Sequence, residues 1–231
     1  MFSNNFSFKK VLTNVSLLFL GGVSSAAFIL LTQIILARQL SPVGFGSFSA
    51  ALASITLLAP LAAFGVRHSW LKLYGAEGIN ANRWLFVSLK FILVSFTLTI
   101  ILILTWAFVG PHSTAFRIAL IGFLPLVLSH IFLELVNARF QLEENYRALA
   151  VWQLLPHLLR FLFVIIFINF VFVIPNIHYV VAGYSCIAIF VCLSGHFYLV
   201  NMFKGKLLIK QNSKHIKINL LQSKLGILDI A

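Results

Sequence analysis

Residues 11–37 have the sequence VLTNVSLLFLGGVSSAAFILLTQIILA and contain no charged side chain. A helix needs about 20 consecutive apolar residues to cross the hydrocarbon core of a bilayer, so this run is long enough to span a membrane. Lys9 and Lys10 precede this run, as basic residues precede the apolar region of a secretory signal peptide. That apolar region is only about 7–15 residues long, which is much shorter than the run in this chain. We therefore expect an uncleaved first transmembrane helix.

The rest of the chain continues in the same way. Of its 231 residues 61% are hydrophobic and 10% are charged, whereas soluble domains are roughly 45–50% apolar and about 25% charged. The apolar runs are continuous, unlike barrel strands, which alternate over about ten residues. The sequence predicts an all-α integral membrane protein, a six-transmembrane-helix bundle over 11–202 with no separate catalytic domain. The predicted spans are 11–37, 45–66, 84–108, 116–136, 149–172 and 177–202.

The distribution of positive charge predicts the orientation of the helices. Cytoplasmic loops carry an excess of Lys and Arg. With the N-terminus inside, all 17 Lys and Arg residues fall on the inner side except Arg38, Arg117 and Arg160. We expect both termini in the cytoplasm of a bacterium and the chain in its inner membrane. The net charge is +12, but the basic residues lie between apolar runs and do not cover a soluble surface. We therefore expect no nucleic-acid partner.

The two ends of the chain differ from the spans. Residues 1–10 are predicted to be a cytoplasmic N-terminus. Residues 203–231 form a basic tail that becomes apolar again over 225–230. We expect this tail to be a cytoplasmic linker followed by the onset of a truncated seventh helix.

The fifth predicted span contains an arginine, although a charge at mid-bilayer costs at least about 2.5–3.5 kcal/mol. Arg160 lies about 16 Å along the helix from the start of this span, near the bilayer midplane. Gln153 and His157 precede it at steps of four and three, so the three side chains share one face. This face is expected to point into the bundle, where an electropositive cavity would suit a phosphate or an acidic sugar. The hypothesis is that Arg160 contacts an anionic substrate.

The fourth predicted span carries His130 and Glu134, one helical turn apart on one face. Glu134 and Arg160 differ by about 13 Å in depth, so a direct salt bridge between them is not expected, whereas His130 is placed to meet His157. Two interpretations stay open. These residues are either polar contacts that fix the order of the helices, or substrate and proton-relay groups within the cavity.

Small and polar residues recur along one face of each of the first two predicted helices. In the first helix they are Asn14, Gly21, Ser25 and Thr32, and in the second they are Gly46, Ala50 and Ser54. Such a stripe indicates either close helix packing or the wall of a water-filled cavity. Packing is favoured for the second helix, and the two interpretations are about equal for the first. Pro60 is expected to kink the second helix.

Sequence patterns for cofactor or metal chemistry are absent. There is no Gly-rich phosphate loop and no Cys/His metal spacing, so no cofactor, metal or catalytic residue is predicted. Cys186 and Cys192 lie six residues apart, off the same helical face, which argues against a disulfide. The adjacent Glu143 and Glu144 are expected to lie in water beside Arg139.

The junction between the first two helices carries a recognisable pattern. Residues 36–46 have the sequence LARQLSPVGFG, and the residues of interest in it are Arg38, Pro42, Gly44 and Gly46. This resembles the R-x-L-[GS]-P-x-x-[FY]-G pattern of the polysaccharide transporter family, the Wzx-type flippases within the MATE-like exporter superfamily. The family often has an acid after the proline, and Val43 departs from it. Two further stretches extend the resemblance over residues 10 to 200: FGVR, ending at Arg67, and the inner loop NARFQLEENYRAL over 137–149.

The resemblance implies a function. Such proteins move a polyprenyl-diphosphate-linked oligosaccharide from the inner to the outer leaflet, for O-antigen, capsule or exopolysaccharide assembly. Two six-helix lobes face one central cavity and alternate its access. This chain supplies only one lobe, so a truncated or frameshifted product is expected, with a second lobe or other polysaccharide-assembly membrane proteins as partners besides the anionic lipid-linked sugar and the bilayer.

Two other hypotheses remain. A membrane glycosyltransferase or acyltransferase acting on the same lipids would need an accessible catalytic acid or histidine near a membrane face, for which only Glu134, Glu143 and Glu144 are available. A transport-dead half would act only by binding partner membrane proteins through its exposed helix faces.

Overall fold

The computed structural model describes residues 8–170 and 176–204, which form helices joined by short connections. The helices are α1 Phe8–Gln39, α2 Pro42–Ala63, α3 Val66–Glu77, a 3-10 helix Gly78–Trp84, α4 Leu85–Val109, α5 Thr114–Gly122, α6 Leu124–Leu142, α7 Tyr146–Phe170 and α8 Ile177–Lys204. The predicted tail over 203–231, apart from its first two residues, lies outside the described residues, and so does the expected seventh helix.

Six segments of the described chain are long and apolar enough to cross a membrane, and together they confirm the predicted class and number of spans. They are Val11–Gln39, Pro42–Glu77, Leu85–Val109, Thr114–Leu142, Tyr146–Phe167 and Ile177–Val200. The chain is therefore an all-α, multi-pass membrane protein. Two of the six spans, the second and the fourth, are longer than predicted because each contains two helices in succession.

The turn between α1 and α2 is built by local capping. The side chain of Ser41 accepts a hydrogen bond from the Gly44 backbone N–H at 3.1 Å, which satisfies one of the free donors at the start of α2. Pro42 begins the helix, where its missing N–H costs nothing. A Cβ on Gly44 would lie 3.0 Å from the Ser41 hydroxyl, so a larger residue would crowd the cap. Ser41, Pro42 and Gly44 therefore contribute to the start of α2.

The second span changes direction after Pro60, the proline at which a kink was expected. The helix α2 continues through Pro60, whose carbonyl accepts a hydrogen bond from the Phe64 N–H at 3.0 Å. Phe64 and Gly65 then take positive φ values of 27° and 73°, and α3 begins at Val66. Glycine adopts such a φ without the steric cost that a side chain brings. The interruption therefore lies at Phe64–Gly65.

The fourth span was predicted as one helix over 116–136 and is divided into α5 and α6. Phe123 links the two, and Pro125 stands in the first turn of α6. Proline lacks the N–H that would bond four residues back, and its ring crowds the preceding turn. The regular helix therefore ends at Gly122 and restarts at Leu124, while the segment still crosses the membrane once.

The helices α6, α7 and α8 pack closely through glycines. A Cβ on Gly183 of α8 would overlap the ring of Phe163 on α7. On the next face of α8, a Cβ on Gly195 would lie 2.9 Å from the Cβ of Phe132 on α6. Small residues at such positions let transmembrane backbones approach closely. This packing fixes α8 beside the helices that carry His130, His157 and Arg160.

The two stripes of small residues have different environments. In α1, Gly21 contacts α7, where a Cβ added to it would lie 3.4 Å from the Ala150 Cβ, as expected for helix packing. In α2, Gly46 and Ala50 are exposed, and nothing lies within 4 Å of a Cβ added at Gly46. Among the described residues the packing interpretation is therefore wrong for Gly46 and Ala50, whereas Ser54 is partly buried. The buried face of α2 is a different one, carrying Phe48, Ala51, Ile55, Ala59 and Ala62.

Candidate functional site

Two neighbouring cavities lie inside the bundle and share the residues Thr56, His157 and Arg160. The smaller cavity has a volume of about 110 Å³, and the larger one a volume of about 260 Å³. The smaller is lined by Ile29, Thr32, Gln33, Leu52, Thr56, His157, Arg160 and Tyr184. The larger is lined by Ile55, Thr56, Ala59, Leu126, Ser129, His130, Leu133, Pro156, His157 and Arg160.

Arg160 stands where the two cavities meet. Within residues 8–170 and 176–204, its guanidinium forms no ion pair, and its Nε is buried without a hydrogen-bond partner. Its contact is instead aromatic, because the guanidinium carbon Cζ lies 5.2 Å from the centre of the Tyr184 ring. A charge near mid-bilayer is costly unless it is paired or lines a water-filled space. Arg160 borders both cavities, and no carboxylate among the described residues pairs with it.

The aromatic partner of Arg160 belongs to a packed cluster. Tyr184 contacts Phe48 edge to face, with ring centres 5.4 Å apart and an interplanar angle of 86°. Phe123 contacts both rings, at 5.5 Å from Phe48 and 6.0 Å from Tyr184. All three side chains are buried. The Tyr184 ring is therefore a fixed surface contributed by α8 against which the Arg160 side chain rests.

The histidines expected to face each other do share a cavity. His130 on α6 and His157 on α7 both line the larger cavity, and His157 also lines the smaller one. The helical spacing of His157 and Arg160 placed them on one face, and the structure confirms that both reach the same space. The Nδ1 of His157 is buried and has no hydrogen-bond partner among the described residues.

Gln153 and Asn14, also expected at the cavity, do not line either one. Gln153 is partly buried on α7, one turn nearer the N-terminal end of the helix than His157. Asn14 is partly buried on α1, and its helical distance from the cavity residue Thr32 is about 27 Å. These residues are separated from the site by their position along the helix axis, although Gln153 shares a face with His157.

Glu134 pairs with an arginine from another helix. Its Oε2 lies 3.3 Å from NH1 of Arg67, at the start of α3. Both side chains are partly buried, with exposed fractions of 24% for Glu134 and 22% for Arg67. Glu134 lies one turn from His130 but lines neither cavity. The pair connects α3 to α6, which is the helix-fixing role left open for this residue.

The remaining junction residues lie apart from the cavities. Arg38 is exposed at the end of α1, and Pro42, Gly44 and Gly46 occupy the first turns of α2. None of them lines either cavity. Pro42 and Gly44 lie in the capped first turn of α2, so they have a role in the fold. The structure gives no evidence that they contact a substrate.

Carboxylates elsewhere in the described chain are also paired. Arg139 Nε donates to Glu143 Oε1 at 2.8 Å, one turn apart at the end of α6, and Arg139 NH1 donates to the backbone carbonyl of Tyr198 on α8. Glu77 accepts from Arg83 at 3.0 Å beside the 3-10 helix. In the described part of the chain, no group of three or more metal-ligating side chains occurs. Cys186 and Cys192 are both free.

Four cavity residues were not identified from the sequence: Gln33, Thr56, Ser129 and Tyr184. Single hydroxyl and amide groups in a span are equally consistent with helix packing, and the hydroxyls of Thr56 and Ser129 do bond backbone carbonyls within their own helices. Gln33 directly follows Thr32, so the small-residue stripe pointed near it. Nothing in the sequence indicated that Tyr184 lines a cavity, because an aromatic residue in an apolar run resembles any core residue.

The sequence was compared with known families, curated proteins and solved structures. A family described as polysaccharide biosynthesis protein matches residues 11–224, which include all six spans. No curated protein and no solved structure matches the chain.

Proposed function

Because this chain belongs to the polysaccharide biosynthesis protein family and crosses the membrane six times, we propose that it moves a polyprenyl-diphosphate-linked oligosaccharide across the bacterial inner membrane. The sugar unit would serve O-antigen, capsule or exopolysaccharide assembly. The proposal makes the chain a flippase of the Wzx type and not an enzyme. The family match supports the coarser part of this function, a membrane protein of polysaccharide biosynthesis and transport.

The observation that carries the proposal is the state of Arg160. A lipid-linked sugar has a diphosphate, and many such sugars are acidic, so a transporter needs a positive group inside the membrane that is free to bind them. Arg160 faces both cavities, and in the described chain no carboxylate neutralises it. Guanidinium groups suit phosphate and carboxylate because their planar fork donates several hydrogen bonds in fixed directions.

The polar lining around Arg160 fits a sugar as well as an anion. Gln33, Thr32 and Thr56 border the smaller cavity, and Ser129 and His130 border the larger one. Amide, hydroxyl and imidazole groups both donate and accept hydrogen bonds, as sugar hydroxyls require. The remaining lining is mostly apolar, which keeps the local dielectric low and strengthens the attraction between Arg160 and an anion.

The enzyme hypothesis is less well supported by the structure. A glycosyltransferase or acyltransferase on the same lipids would need an accessible acid. Glu134 is bound to Arg67, and Glu143 is bound to Arg139. None of the three glutamates, Glu134, Glu143 and Glu144, borders the cavities that hold the polar side chains. This placement favours binding and movement of an anion over chemistry that needs a carboxylic acid beside the substrate.

The orientation and partners are part of the same proposal. We place the N- and C-termini in the cytoplasm because the basic residues then lie on the inner side. The partners are the anionic lipid-linked sugar, the bilayer, a second six-helix lobe that faces the cavities, and other polysaccharide-assembly membrane proteins. Two lobes facing one cavity would provide alternating access.

Complementation of a strain that lacks its own flippase tests the proposal. The unchanged chain should restore surface polysaccharide, and Arg160→Gln should abolish it although the variant inserts at the normal level. Arg147→Gln is the matched control, since Arg147 is an exposed residue at the start of the same helix. Normal surface polysaccharide with Arg160→Gln would overturn the role of Arg160. Accumulation of unmodified lipid intermediates with the unchanged chain would point instead to the enzyme.

A further inference from the structure

The cluster formed by Tyr184, Phe48 and Phe123 has a role beyond packing. We infer that Tyr184 is a positioning residue, whose ring holds the Arg160 guanidinium at the junction of the two cavities while leaving its charge free for an anionic ligand. This inference rests on the proposed function, since it assigns how the anion-binding group of that function is held.

The first support is the contact itself. The Arg160 guanidinium carbon lies 5.2 Å from the centre of the Tyr184 ring. A cation within about 6 Å of a ring centre is attracted to the negative face of the ring. Both side chains border the smaller cavity, so the contact is made at the wall of the binding space.

The second support is that other restraints on Arg160 are missing in the described chain. Among the described residues Arg160 forms no ion pair, and its buried Nε has no hydrogen-bond partner. An arginine side chain has about 2 kcal/mol of rotamer entropy to lose when it is fixed in one position. The ring face is the feature that orients it before a ligand arrives.

The third support is the rigidity of the ring. Phe48 and Tyr184 are 0% and 2% exposed, and their ring planes cross at 86°. Phe123, also 0% exposed, closes the cluster. These rings come from α2, α8 and the link between α5 and α6. Tyr184 cannot turn away without opening the buried contacts among three parts of the bundle.

An aromatic partner, unlike an acidic one, leaves the positive charge of Arg160 unneutralised. A carboxylate would neutralise Arg160 and compete with the ligand for its N–H groups. The Tyr184 ring attracts the cation through its quadrupole but carries no formal charge. Arg160 can therefore be held in place and still give the cavity a net positive potential, which selects for a phosphate or carboxylate group on the ligand.

The test uses the full chain purified in detergent and titrated with inorganic diphosphate as the probe, with binding followed by calorimetry. Tyr184→Phe keeps the ring and should bind diphosphate within about twofold of the unchanged chain. Tyr184→Leu removes the ring and should weaken binding about tenfold, the size expected for a desolvated cation–π contact. Tyr184→Met, which fills the space with a flexible apolar chain, should behave like Tyr184→Leu and serves if the leucine variant does not fold.

Two controls separate positioning from general destabilisation. Tyr179→Leu makes the same change on the same helix, at an exposed residue whose ring contacts Phe167, and should leave the affinity unchanged. In an Arg160→Gln background, Tyr184→Leu should cause no further loss, because the ring acts through the arginine.

The outcomes distinguish the inference from the function on which it rests. If Arg160→Gln abolishes binding and Tyr184→Leu and Tyr184→Met bind like the unchanged chain, the positioning role is wrong and the anion site stands. If Tyr184→Phe weakens binding as much as Tyr184→Leu, the hydroxyl acts in place of the ring, and the inference is also overturned. If Arg160→Gln itself binds diphosphate normally, both the inference and the proposed anion site fail.

Discussion

Arg67 and Arg160 are both partly buried arginines of the same helical bundle, but they have opposite partners. Arg67 lies at the start of α3 and is 3.3 Å from the carboxylate of Glu134. Arg160 lies in α7 and rests on the Tyr184 ring, with no acid beside it in the described chain. The first arginine is neutralised and connects two helices. The second faces both cavities without an acid, which is why we propose it, and not Arg67, as the group that binds an anion.

Replacing a cavity side chain by an acid should give Arg160 a carboxylate partner, as Arg67 has in Glu134. We expect this change to have the largest effect on transport. Thr56 borders both cavities together with Arg160. Thr56→Asp should lower transport at least about tenfold, because a carboxylate at this low-dielectric site competes with the substrate anion. Thr56→Asn is the matched neutral variant and should retain most of the activity. Complementation at equal membrane levels compares the two, and equal activity would show that Arg160 needs no free charge.

Removing the acid from the other arginine should affect stability more than transport. Glu134→Gln is expected to lower the free energy of unfolding by about 1 kcal/mol, the upper end for a partly exposed pair. That corresponds to a decrease of about 2–4 °C in melting temperature for a chain of this size. The exchanged pair Arg67→Glu with Glu134→Arg should recover part of the loss. Thermal unfolding in detergent measures this, and no recovery would mean that the two residues do not act as a pair.

A substitution outside the cavity should have the smallest effect. Gln153 shares a helical face with His157 and Arg160 but borders neither cavity. Gln153→Leu should therefore leave transport within about twofold, while His157→Leu should reduce it more, since His157 borders both cavities. Side-by-side complementation of the two variants decides this. A larger loss for Gln153→Leu would place the substrate nearer the N-terminal end of α7 than we infer.

Much of the fold could be predicted from the sequence because apolar length alone defines a span. The six spans and the shared face of His157 and Arg160 follow from that length and from the period of the helix. The break at Gly122–Leu124 was missed, since the apolar run continues through it and only Pro125 indicates it. The expected packing of Gly46 and Ala50 was wrong, because small size permits close approach but does not show which face has a neighbour within the chain.

The candidate site was only partly predictable. Helical spacing identifies residues on one helix that share a face, which is how His157 and Arg160 were found. It does not identify partners on other helices. Arg67 and Glu134 are 67 residues apart, and their contact depends on how α3 meets α6. Tyr184 reaches Arg160 only because glycines such as Gly183 let α8 lie against its neighbours.

We propose that Arg160 binds the anionic substrate on its way across the membrane, and one measurement tests this proposal most directly. The most direct measurement is the rate at which the purified chain, reconstituted in liposomes, moves a fluorescent polyprenyl-diphosphate sugar between leaflets. We predict that Arg160→Gln reduces this rate to that of protein-free liposomes, whereas Arg147→Gln keeps the rate of the unchanged chain. An Arg160→Gln chain that is folded and moves the lipid as fast as the unchanged chain would contradict the account.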